Sequence, residues 1–262
     1  MERVNEQNTT DRARATIDPA WTAMIPREQA DALVEATSHL ERAGVHALLG
    51  GAFAIGRHVG RWRGTKDIDF FVRPAQRQAA IDALLKAGFK DYHEQLAYDR
   101  SWIFRAFRDN ALIDIIWTIP NHVTDVDDEW FARAASFPFE GRRCSTVPLE
   151  ELIWIKLFVL QRDRCDWPDV INLLRRNAKI LDWERLIDRL DDHEPLLIAV
   201  LQVLDWLAPA VVTEFPTWVL SRFHLRERPQ VLTAEEEARR AALLDSRPWY
   251  AELLSGSDVM AP

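Results

Sequence analysis

The hydrophobic pattern changes character once along this chain. Before Pro120, short apolar runs alternate with segments of helical spacing; after Pro148 only helical spacing remains. Pro26 to Ala43 has apolar residues at Ala30, Leu33, Val34, Ala36 and Leu40, which predicts a helix with Pro26 at its start and Gly44 at its end. Val45 to Leu49 is a short apolar strand. Gly50-Gly51 turns the chain into a helix start of small residues, Ala52 to Ile55, and Gly60 to Thr65 is a loop. Asp67 to Val72 reads as a strand with acids at alternate positions, and Pro74 to Ala87 as a helix ended by Gly88. Phe89 to Gln95, Ser101 to Phe107 and Ala111 to Trp117 read as strands, with Asp109-Asn110 as the hairpin turn between the last two.

Residues 120–146 carry no clear period and read as irregular or partly helical. Helices are predicted over 149–162, 167–177, 182–191 and 195–207, and Thr233 to Glu237 reads as a further helix start with acids in its first turn. The change of pattern divides the chain into a lead-in over 1–25, an α/β part over 26–146 and a helical part over 147–262.

The chemistry concentrates in the first half. A strand sends alternate side chains to one face, so Asp67 and Asp69 aim at a common point. Two adjacent carboxylates repel, and hard oxygen ligands select Mg²⁺ or Mn²⁺ as the cation that relieves them. Asp114 lies mid-way in the apolar run Ala111 to Trp117, where a lone ionised acid needs a partner or a metal. The plainer readings are a strand-end pair capping a loop for Asp67 and Asp69, and a salt bridge to Arg105 for Asp114. Gly50-Gly51, just upstream, lets backbone come close to a phosphate.

Lys156 sits inside the apolar helical run Leu152 to Phe158 and needs a partner if buried. It reads either as a nucleotide contact or as a lysine at the helix edge. Asp166 and Asp169, three apart at a helix start, read as capping groups or as a structural pair for Lys156.

In this order, Leu49-Gly50-Gly51, Asp67-Ile68-Asp69 and Asp114 resemble the signature of the nucleotidyltransferase superfamily with the polymerase-β-type core. The local form Arg63-Gly64-Thr65-Lys66-Asp67-Ile68-Asp69 is similar to the AbiE-type toxin branch and its uncharacterised relatives. So is Lys156 followed by Asp166-x-x-Asp169. The resemblance covers roughly residues 45–175. It implies an α/β (α+β) core with a mixed sheet, followed by a helical C-terminal domain. It further implies transfer of a nucleoside monophosphate from a nucleoside triphosphate such as ATP to a hydroxyl acceptor, with two Mg²⁺ ions and release of pyrophosphate. Asp67, Asp69 and Asp114 would be the metal ligands and catalytic acids. Gly50, Gly51, Arg63, Thr65 and Lys156 would contact the nucleotide. The long basic segment from Gly51 to Asp67 departs from the compact family form, as does Arg162-Asp163-Arg164-Cys165. A catalytically silent nucleotide-binding or partner-binding module on the same fold is therefore the alternative. The toxin-like branch implies an antitoxin-like partner.

Composition narrows the acceptor. The 262 residues carry a net charge of −8, which argues against broad nucleic-acid binding. An acidic chain favours a small hydroxyl compound, whereas the toxin-like branch implies tRNA ends or a protein side chain. Arg57, His58, Arg61, Arg63 and Lys66 form a local basic cluster that either faces phosphate or is a solvated loop. The chain has eleven tryptophans, and Trp154, Trp167, Trp183, Trp206 and Trp218 recur along helical segments, where core packing is the expected reason. Two cysteines, Cys144 and Cys165, make neither a disulfide framework nor a metal spacing, which fits a reduced, cytoplasmic setting. Residues 1–20 have no apolar signal core, and the longest apolar stretch, Pro195 to Val212, is interrupted by Gln202, Asp205 and Pro209, so no membrane span is expected.

Overall fold

The computed structural model describes residues 19–225 and 231–244. The first eighteen residues of the expected lead-in and the end of the helical part lie outside them. Pro19–Met24, also expected in the lead-in, is instead a 3-10 helix. Its Trp21 is 2% exposed, packs against Phe137 with ring centroids 5.1 Å apart and rests on Gly56, where a Cβ would lie 2.6 Å from the indole.

Seven strands form one mixed sheet: β1 (Ala47–Leu49), β2 (Asp67–Val72), β3 (Lys90–Asp91), β4 (Ile103–Arg108), β5 (Ala111–Ile116), β6 (Ala135–Phe139) and β7 (Arg142–Thr146). Their order is β3-β4-β5-β2-β1-β7-β6. The pairs β2/β5 and β1/β7 are parallel; the others are antiparallel. The helices are α1 (Arg27–Arg42), α2 (Gly51–Val59), α3 (Arg77–Lys86), α4 (Asp128–Ala132), α5 (Leu149–Leu157), α6 (Trp167–Asn177), α7 (Trp183–Leu190), α8 (Glu194–Leu207), α9 (Pro209–Val212), α10 (Thr217–Arg222) and α11 (Ala234–Leu244). This is an α/β fold with a helical second half. Among the described residues no helix is long and apolar enough to cross a membrane.

Strand alternation divides the side chains between two faces. Ile68, Phe70 and Val72 of β2 and Ile113 and Ile115 of β5 join a core with Leu33, Ala36 and Leu40 of α1 and Leu84 of α3. Phe71 of β2 and Ile116 of β5 point the other way, into the core built by α2 and the helices from α5 onward. Asp67, Asp69 and Asp114 follow the parity of Phe71 and Ile116, so all three acids lie on the face that the helical half covers.

Three expectations change. The predicted strand Phe89 to Gln95 shrinks to β3 because the Asp91 side chain accepts from the His93 amide at 2.9 Å and bends the chain into a 3-10 turn. The irregular 120–146 segment contains α4 and the β6–β7 hairpin, closed by Glu140 and Gly141, both at positive φ. Pro138 disguised β6, yet an edge strand tolerates a missing N–H on its outer side. The helix predicted to 162 ends at Leu157, and the chain then folds back through a Leu160–Cys165 bridge. The tryptophan reading holds for Trp154 and Trp183, each 3% exposed, whereas Trp218 is 42% exposed.

Candidate active site

Register builds the site. In the parallel β2/β5 pair Asp69 lies beside Asp114, and in the antiparallel β4/β5 pair Arg105 lies beside Asp114. Asp69, Asp114 and Arg105 thus form one row across three strands, with Asp67 two residues back on the same face. Carboxylate oxygens of Asp67, Asp69 and Asp114 lie within 4.8 Å of one another. Three acids this close repel strongly unless cations neutralise them.

One cation is built in. Arg105 forks onto Asp114, with Nε 2.7 Å from Oδ1 and Nη2 2.5 Å from Oδ2, and Nη2 also lies 3.5 Å from Asp67 Oδ2. The hydrogen bond to Asp114 holds the Arg105 guanidinium further above its ordinary value. Burial nevertheless raises the Asp114 carboxyl above the usual range, against the pull of Arg105. Asp69 is perturbed most. Burial, then the charges of Asp67 and Asp114, push its carboxyl up to about 7. That is the electrostatic signature of a site short of positive charge, and hard carboxylate oxygens suit Mg²⁺ or Mn²⁺.

The double glycine lies against this row. The Gly50 amide donates to the Asp69 carbonyl at 2.9 Å, so the strand uses it and it does not face a phosphate. A Cβ on Gly50 would lie 2.2 Å from the Phe71 ring, and one on Gly51, which has φ +46°, would lie 2.0 Å from Asp69 Oδ2. The glycines therefore let the start of α2 approach Asp69 more closely than any side chain would permit. The positive end of the helix dipole then faces the acids.

The remaining candidates divide between Asp67 and a second acid pair, Asp166 and Asp169, close enough that the Lys156 and Arg164 charges also act on Asp69. The Thr65 hydroxyl donates to Asp67 Oδ1 at 2.7 Å, and the Thr65 carbonyl accepts from Gln29. Arg63 Nη2 reaches Asp169 Oδ2 at 3.3 Å. Lys156, 5% exposed, donates to Asp166 Oδ2 at 2.7 Å and to Asp169 Oδ2 at 2.9 Å. Its ammonium is thus engaged by the two acids that follow it. Arg164 forks onto Asp166 with both contacts at 3.0 Å. The basic cluster before Asp67 does not act as a unit. Arg57 donates to the Ser136 carbonyl, and buried His58 to the Val147 carbonyl at 2.9 Å.

Residues 20–204 match a family model described as an uncharacterised nucleotidyltransferase. The chain belongs to that nucleotidyltransferase family. Among solved structures it is similar to the antibiotic-resistance factor ANT(2'')-Ia, at 16% identity and a TM-score of 0.48 over 68% of this chain and 97% of that one. The lincosamide antibiotic adenylyltransferase LnuA shares 15% identity at a TM-score of 0.40, over 57% and 96% of the two chains. JHP933 from Helicobacter pylori shares 14% identity at a TM-score of 0.41, over 87% and 91%. No curated protein matches the chain.

Within this nucleotidyltransferase fold, one site neighbour carries no signal in the sequence. The Tyr98 hydroxyl accepts from the Arg105 amide at 2.9 Å and donates to Asp91 Oδ1 at 3.2 Å. It does for β4 what a longer β3 would have done. Arg105 itself was legible only as a candidate partner for Asp114.

Proposed function

We propose that this chain moves a nucleoside monophosphate from a nucleoside triphosphate, ATP in the first instance, to an acceptor hydroxyl. The observation that carries this reading is the trio of carboxylates within 4.8 Å on adjacent strands, in a chain of the nucleotidyltransferase family. Asp67 and Asp69 would hold the nucleotide's Mg²⁺, and Asp114 would complete a second site. Bound there, the metal would polarise the phosphoryl oxygens and ease deprotonation of the acceptor. The acceptor oxygen forms a bond to the α-phosphorus, the bond to the β-phosphate oxygen breaks, and pyrophosphate leaves. Asp114 would orient the hydroxyl and accept its proton, and the Arg105 fork would hold the carboxylate's orientation. The N-terminal amides of α2 beyond Gly50 would face the β and γ phosphates. Thr65 would steady Asp67 for the metal, while Arg63 and Lys156 would contact the nucleotide by exchanging Asp169 and Asp166 for it. We take residues 26–146 as the catalytic domain and 147–262 as the helical one.

The local motifs Arg63 to Asp69 and Lys156…Asp166-x-x-Asp169 support an AbiE-type relationship and an antitoxin-like partner, and the two cysteines, outside any disulfide framework, support a cytoplasmic setting. The acceptor on that reading is a tRNA end or a protein side chain; the acidic composition favours a small hydroxyl compound. The direct test is transfer of label from an α-labelled triphosphate into a total cell extract, with Mg²⁺ and with chelator. Label appearing on one acceptor class only with the metal supports the proposal. No labelled product with any of the four triphosphates would overturn it. One observation favours a silent binding module instead: Arg105 occupies both oxygens of Asp114. Triphosphate binding without transfer, unchanged in Asp114→Asn, would select that reading.

A further inference from the structure

The sheet is open at one place inside it. β1 and β7 run parallel and pair at Leu49↔Thr146, and the Val147 amide donates to the Leu49 carbonyl at 3.0 Å. The ladder does not continue to Ala47. Away from Gly50 the two strands part, and a cleft of about 440 Å³ opens between them. That volume is within the range of small-molecule sites, roughly 300–1,000 Å³. The cleft runs along β1 to Leu49 and touches Phe70, but none of Asp67, Asp69 and Asp114 lines it, so it is distinct from the acid trio.

Its lining has two parts. Leu40 of α1, Leu48 of β1 and Phe131 of α4 form an apolar wall that reaches from one face of the sheet to the other. The rim is polar and carries one cation, Arg143. His46 and Arg143 are both exposed there, and among the described residues neither has an acidic partner. Glu41, also on the rim, is neutralised by Arg142 at 2.9 Å. Thr37 lines the same cleft, and its hydroxyl is buried without a hydrogen-bond partner. An orphaned hydroxyl, an interrupted ladder and an exposed guanidinium without an acidic partner among the described residues all ask for an occupant.

We propose that this cleft is a second binding site, for a small organic anion with an apolar body. The carboxylate would pair with Arg143 and His46, the chain would lie against Leu40 and Phe131, and a polar atom would meet the Thr37 hydroxyl. An inorganic anion leaves the wall unfilled, and a neutral amphiphile leaves the rim unpaired.

Calorimetry of the full chain tests this with decanoate, decanol and inorganic phosphate as probes. Decanoate is expected to bind one site per chain with a Kd of about 1 mM or tighter, and decanol about tenfold more weakly. Phosphate alone is expected not to bind at the same concentration. Arg143→Glu should weaken decanoate about tenfold and leave decanol unchanged. Because Arg143 is exposed, both it and the milder Arg143→Gln should melt as the unmodified chain does. No decanoate binding at about 10 mM, roughly tenfold above the expected Kd, overturns the proposal. So does binding indifferent to Arg143→Glu, or phosphate binding equal to decanoate.

Discussion

Lys156→Ala should destabilise the fold strongly, and the pH dependence of the loss identifies its cause. The ammonium is 5% exposed and is held by two acids at 2.7 and 2.9 Å. Removing one partner from a buried ion pair costs about 3–5 kcal/mol, because the other charge is left uncompensated. Here Arg164 still forks onto Asp166 and Arg63 still reaches Asp169, so the lower end, about 3 kcal/mol, is expected. For a chain of this size that lowers the melting temperature by about 6–12 °C. Burial alone would raise the Asp166 carboxyl, but the Arg164 hydrogen bond and the Lys156 charge outweigh it and hold it at about 2. A depressed carboxylate contributes stability that is present above its ordinary value and lost as pH falls towards 2, about 2 kcal/mol in all. The variant has already lost part of that contribution. The gap between it and the unmodified chain, read by circular dichroism on heating, should therefore be widest near pH 7 and narrow towards pH 2.5. Adding Asp166→Asn and Asp169→Asn should recover part of the loss. A melting temperature within about 2 °C of the unmodified chain at pH 7, under 1 kcal/mol at this size, would refute the buried-pair reasoning.

Three further outcomes follow from the acid row. Asp69→Asn should reduce labelled transfer by at least about a hundredfold while the chain stays folded. Its pH behaviour is the mirror of Asp166. A carboxyl raised to about 7 contributes full stability below the ordinary carboxylate range and loses it as pH rises through 7, so chelator-treated protein should melt lower at pH 8.5 than at pH 5.5, and Asp69→Asn should remove that contribution. Gly51→Ala, at φ +46° and with a Cβ 2.0 Å from Asp69 Oδ2, should cost about 1–3 kcal/mol and impair transfer; a variant of normal melting temperature and activity would contradict the close approach. Tyr98→Phe leaves the Arg105 amide without its acceptor, at about 1–2 kcal/mol, and should lower kcat with the KM for triphosphate unchanged, whereas a matched rise in KM would place Tyr98 at the nucleotide instead.

How far the sequence carried depended on whether a signal was local. The β2 bounds are those predicted from the alternating acids and apolar residues of Asp67 to Val72, because a period of two is written in the residues themselves. The β5 run was likewise readable, to within one residue at its end. The β6–β7 hairpin was not, because Pro138 argues against a strand unless that strand is known to be the last in the sheet, and strand order is a non-local fact. The end of α5 at Leu157 was missed because the apolar period runs on past it. What stops the helix is the return of the chain to pair Lys156 with Asp166, ten residues away.

The site shows the same division more sharply. Asp67 and Asp69 share a face by local periodicity alone, whereas Asp114 joins them only because β5, and not β1 or β4, is the parallel neighbour of β2 on that side. The same register brings Arg105 beside Asp114, and this decides how charge is distributed in the row. Arg105 neutralises Asp114 on both oxygens and touches Asp67 at 3.5 Å, while Asp69 has no ion pair among the described residues. Asp69 is also the acid that Gly51 approaches and the one raised furthest. A divalent cation therefore gains most by binding at the Asp67–Asp69 side, where repulsion is least relieved, and gains least at Asp114, where it must compete with a guanidinium fork. On the proposed two-metal reading, the two positions would therefore differ in affinity for a reason fixed by one strand register. Arg105→Gln should raise the affinity of the weaker position and leave the tighter one nearly unchanged. Mn²⁺ titration followed by electron paramagnetic resonance reads both positions, and equal tightening at the two would show that Arg105 acts on the row as a whole.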